Sequence, residues 1–113
     1  MAYDEALADR VRDVLAAREG VSERKMFGGL CFMINGNMAC GPMGDELMVR
    51  LGHEEAERAL TEPHARPMDF TGKPMRGMIY VTAEGLADDR DLAGWVELGA
   101  DHAASLPPKK PKK

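Results

Sequence analysis

Four soft side chains flank one turn. Cys31, Met33, Met38 and Cys40, which include both cysteines of the chain, bracket the dipeptide Asn35-Gly36. Asn-Gly is a strong two-residue hairpin signal, because a type I′ turn needs positive φ at both central positions. With the loop closed there, Ile34 lies opposite Asn37, Met33 opposite Met38, Phe32 opposite Ala39 and Cys31 opposite Cys40. Side chains alternate along a strand, so Leu30, Phe32 and Ile34 share one face and Cys31, Met33, Met38 and Cys40 the other. Cysteines in such a cross-strand pair have Cα atoms ~4.5 Å apart, inside disulfide range. Closing that loop would stabilise the fold by about 2.5 to 3 kcal/mol in the entropic account, which makes a reversible redox switch one chemistry open to the hairpin. The same thiolate and thioether donors suit a soft ion such as Cu(I). A third reading needs no chemistry: reduced cysteine and methionine are adaptable hydrophobes.

The other reactive residue types do not assemble. Ser22 and Ser105, the only serines, lie in no Gly-x-Ser-x-Gly elbow, and His53, His64 and His102 are isolated from one another. Gly36 to Gly41 has the outer spacing of a phosphate loop, but Pro42-Met43 stands where Lys-Ser/Thr would hold phosphate and magnesium. Gly41-Pro42-Met43-Gly44 imitates an RNA-binding GXXG loop without its basic neighbours. No catalytic role and no cofactor are expected. Two binding surfaces remain. Nine methionines against three phenylalanines and one tryptophan make a soft apolar surface, so Met33, Met38 and Met48 are candidates for a protein or homodimer interface. Arg24, Lys25, Arg66, Lys73 and Arg76 form a candidate basic site for an acidic peptide or a phosphate, in competition with internal pairing to Glu23 and Asp69.

The elements that would carry these residues can be read from periodicity. Leu7, Val11, Val14 and Leu15 repeat at helical spacing between Asp4, a candidate N-cap, and Gly20, a candidate left-handed C′ residue. After the hairpin, residues 41–45 read as a turn and 46–51 as a third strand. His53 to Leu60 forms a short helix, 66–70 a short strand and 75–82 a better one. Asp88 caps a last helix whose buried stripe is Leu92, Trp95 or Val96, Gly99, Ala103 and Leu106, with Trp95 expected as a core anchor. The order α-β-β-β-α-β-β-α predicts a two-layer α+β domain: an antiparallel five-stranded sheet with helices mainly on one face.

At 113 residues the chain suits one domain, expected over 1–108, with 109–113 a disordered basic tail. Lys109, Lys110, Lys112 and Lys113 supply four of the fifteen cations, so the net −4 of the whole chain is −8 over residues 1–108. That acidity argues against a broad nucleic-acid face, leaving weak contact through the tail as the one nucleic-acid reading. No apolar run is long enough to span a bilayer, and the acidic N-terminus is unlike a signal peptide, so a cytoplasmic location without membrane contact is expected.

At RKMFGGLCFMINGNMACG (24–41), LMVR (47–50), MDFTGKPMRGMIYV (68–81) and SLPPK (105–109), the sequence resembles the N-terminal domain of the TfoX/Sxy family. The resemblance implies a fold similar to type III secretion chaperones and a regulatory or interaction module rather than an enzyme. Named members regulate natural competence beside the cyclic-AMP receptor protein and usually carry a second domain. A single-domain member working by protein contact, with transcription machinery as the partner, is the resulting expectation. The alternatives are a thiol or soft-metal sensor through Cys31 and Cys40, and a weak nucleic-acid binder through the lysine tail.

Overall fold

The computed structural model describes residues 4–26, 29–67 and 77–107. Helix α1, Glu5–Leu15, starts where the Asp4 carboxylate accepts hydrogen bonds from the Ala6 and Leu7 amides at 2.9 and 3.3 Å. It ends at Leu15, so Gly20 is not its C′ residue. Gly20, with φ +78°, instead brings the chain against the hairpin turn, where the Asn35 amide donates to its carbonyl at 3.0 Å.

Among the described residues six strands follow where five were expected: β1 Val21–Met26, β2 Gly29–Ile34, β3 Asn37–Met43, β4 Glu46–Arg50, β5 Ala65–Pro67 and β6 Met78–Val81. The additional strand is β1, paired antiparallel to β2 from Val21↔Ile34 to Met26↔Gly29. Its segment Ser22-Glu23-Arg24-Lys25 is exposed and lacks apolar alternation, so periodicity gave no signal for it. An edge strand so charged is guarded against pairing with another chain. The sheet is antiparallel in the order β1-β2-β3-β4-β6-β5.

The Asn35-Gly36 turn has the positive φ values expected of type I′, 52° and 83°. Beyond it the register follows expectation for two pairs, Ile34↔Asn37 and Met33↔Met38, and then shifts so that Phe32 faces Cys40. This β-bulge sets Ala39 and Cys40 of β3 against the single residue Phe32. β3 also runs to Met43, through residues expected to turn. Pro42 lies beyond the last register pair with β2, so its missing N–H removes no rung of that ladder. A side chain at Gly41 would collide with the Leu30 carbonyl, so this strand glycine marks a close backbone approach.

Helix α2, His53–Ala59, and helix α3, Asp89–Ser105, complete the described elements, with a 3-10 turn at Ala83–Leu86 between β6 and α3. All three helices contribute to one core on one side of the sheet. Leu7, Val11 and Leu15 of α1, Ala56 of α2, and Leu92, Val96 and Ala100 of α3 pack with Leu30, Phe32, Ile34, Val49 and Ile79. Gly99 lets α3 approach the bulge, where any Cβ would meet the Ala39 carbonyl. Val96 rather than Trp95 supplies the α3 core contact; Trp95 is half-buried at the core margin. Three arginines of α1 and its C-terminal turn fasten this layer. Arg10 donates to the Leu86 carbonyl at 2.7 Å, Arg12 grips both Glu23 oxygens at 2.8 and 2.7 Å, and Arg18 reaches Glu97 and Asp101 at 3.0 and 2.6 Å.

Candidate functional site

The sheet face opposite the helices carries the sulfur. Cys31, Met48, Met78 and Tyr80 form a second buried cluster, with Met33, Met38 and Met43 half-buried against it. The register explains the assembly: Met33 faces Met38, and Met48 faces Tyr80, whose hydroxyl lies 3.7 Å from the Met43 sulfur. At the far edge Arg66 lies over the Tyr80 ring, 4.5 Å from its centroid, and pairs with Glu46.

Cys40 does not belong to this face. The bulge moves it into the helix-side core, fully buried, so the sheet separates it from Cys31. The expected Cys31–Cys40 cross-strand pair is therefore replaced by two free thiols in different clusters. Burial pushes the Cys31 thiol up to about 11 and raises that of Cys40 as well, so both are held protonated and weakly nucleophilic at neutral pH. The four-donor soft-metal set loses Cys40 with it. Among the described residues, no three His, Cys, Asp or Glu side chains gather as a metal site.

The expected interface trio is redistributed. Met33 and Met38 are half-buried register partners, whereas Met48 is 1% exposed and forms the floor beneath them. Met43, which sequence reasoning placed in a turn, takes its place at the surface. Regular alternation would have sent Met43 to the helix side, five residues after Met38; the bulge at Ala39-Cys40 is what brings it to the sulfur face.

The basic set does not gather. Arg24 and Lys25 are exposed on β1 and point to opposite faces of that edge strand, whereas Arg66 is on β5 at the other edge. Five strand spacings, about 24 Å, separate them. Lys73 and Arg76 lie outside the described residues. Arg66 pairs with Glu46, and Glu23 pairs with Arg12, which is not of the basic set; Asp69 lies outside the described residues. Ser22 and His53 are exposed, and the Ser105 hydroxyl donates to the His102 carbonyl at 2.6 Å.

One concave feature lies elsewhere. A groove of about 540 Å³ runs between the loop after α2 and the first half of α3, with Trp95, Gly94 and Leu98 on its helical wall. Leu98, 41% exposed, is the one exposed large hydrophobic among the described residues. Sequence reasoning missed this groove because Trp95 was assigned to the core. Among the described residues no helix is long and apolar enough to cross a membrane.

A family model of the TfoX N-terminal domain matches residues 13–103, from the last turn of α1 almost to the end of α3. No curated protein and no solved structure matches the chain.

Proposed function

The chain belongs to the TfoX N-terminal domain family, and from that premise we propose that it is a non-enzymatic regulatory module acting by protein contact in transcriptional regulation of the competence type. The observation that carries this reading is the thioether surface on the side of the sheet opposite the described helices. Met33, Met38 and Met43 stand half-buried on a floor of Cys31, Met48, Met78 and Tyr80. Thioethers are unbranched and polarizable, so such a surface repacks around a partner at little cost in strain. The helix-side face has no equivalent, since its apolar residues are spent on the helices.

Capture from lysate of the parent cell tests the reading, with the reduced, tagged protein beside a Met33→Lys/Met38→Lys variant whose fold is checked by circular dichroism. Transcription machinery retained by the wild type and lost from the variant is the expected outcome. Equal retention by both proteins, or recovery of no transcription component, argues against it. The two-thiol alternative has no such support, because Cys31 and Cys40 are on different sides of the sheet.

A further inference from the structure

We propose that the Trp95 groove docks the proline- and lysine-rich segment 107–113 of a second copy of this chain. The wall of the groove is unusual for a helix. Asp91, Gly94, Trp95 and Leu98 lie on one side of α3 by their spacing, and Gly94 is exposed with nothing within 4 Å of where a Cβ would stand. Neither internal packing nor backbone conformation calls for glycine there. What glycine leaves is an unobstructed floor beside the indole of Trp95. Proline rings pack on aromatic faces, and a proline-rich strand enters such a groove with little conformational entropy left to lose.

The segment Pro107-Pro-Lys-Lys-Pro-Lys-Lys113 matches that wall in chemistry. Bound as a polyproline II helix, with about three residues per turn, the segment would present Pro108 and Pro111 on one edge and Lys109/Lys112 and Lys110/Lys113 on the two others. With the prolines on Trp95 and Leu98, the lysines flank the groove, whose rim carries the carboxylates of Glu62 and Asp91 beside the single cation Arg90. The wider balance agrees: +4 in the tail against −8 over residues 1–108.

Reach selects a second copy over the chain's own tail. Ten residues of α3 separate Trp95 from Ser105, about 15 Å. Pro107 is held at the other end of the helix, where its carbonyl accepts from Asn37 Nδ2 at 3.0 Å. Four further residues span at most about 14 Å even when fully extended, so Pro108 and Pro111 cannot both reach the Trp95 of their own chain.

Trp95 is the only tryptophan, so its emission reports on the groove directly. The experiment follows that emission and the sedimentation of the full chain across a concentration series. Association with a parallel blue shift is expected, weakened roughly tenfold between about 50 mM and about 500 mM salt. A Gly94→Gln variant, for which the open space leaves room, should stay folded and monomeric. So should the full chain with Lys109, Lys110, Lys112 and Lys113 all changed to Ser. Added LPPKKPKK peptide should shift Trp95 emission in the lysine-free chain, and LAAKKAKK should not. The proposal is overturned by a monomer at all concentrations, by association that survives either variant, by equal responses to the two peptides, or by a tail-dependent emission change independent of concentration.

Discussion

Cys31 and Cys40 show how one inserted residue decides chemistry. The bulge at Ala39-Cys40 turns a disulfide-competent pair into two buried thiols with raised pKa values. Neither should react with Ellman's reagent in the native protein at pH 7.5, both should react in denaturant, and diamide treatment should leave no Cys31–Cys40 bond. Recovery of that disulfide from native protein would mean that the register is wrong. Asn37 is the one buried polar residue among those described, and its amide holds the Pro107 carbonyl. Asn37→Ala should lower stability by about 1 kcal/mol, seen as a lower urea midpoint at unchanged m-value. The Asn35-Gly36 turn was legible because positive φ is confined to few residue types. The bulge two residues later was not, since nothing in Met38-Ala39-Cys40 distinguishes an extra residue from regular alternation.

Among elements, α3 offers a contrast within one helix. Gly94 faces open space, so Gly94→Ala should stabilise the fold by about 0.5 to 1 kcal/mol through backbone entropy. Gly99 touches the Ala39 carbonyl, so Gly99→Ala should instead cost about 1 to 3 kcal/mol, because the helix must move off the bulge. Paired thermal melts check both signs. The edge strand β1 is held to α1 through Glu23 and Arg12, whose hydrogen bond lowers the Glu23 pKa. A depressed carboxylate pKa stabilises above the unfolded value and is lost as pH falls through the folded one. Both side chains are more than a third exposed. Glu23→Gln should therefore cost less than about 1 kcal/mol at neutral pH and low salt, and the difference from wild type should vanish on acidification below the usual carboxylate range. The helices were readable because each repeats its apolar stripe at helical spacing. β1 was not, because an edge strand can be held by ladder bonds with polar side chains on both faces.

At the scale of the whole molecule the α+β class and the antiparallel sheet followed from the spacing of hydrophobic runs, and the matching family model spans most of the chain. Which face the helices take was not legible, since Leu30/Phe32/Ile34 and Cys31/Met33 are both apolar sets on one strand. The structure puts the branched and aromatic residues under the helices and the thioethers on the other side. That division is the basis of the regulatory account, in which the sulfur face meets a protein partner. Oxidative footprinting of the captured complex tests this most directly, with the sulfoxide yield at Met33 and Met38 read by peptide mass spectrometry in free and bound protein. The account predicts that both methionines become protected on binding. Equal oxidation of both in the two states would contradict it.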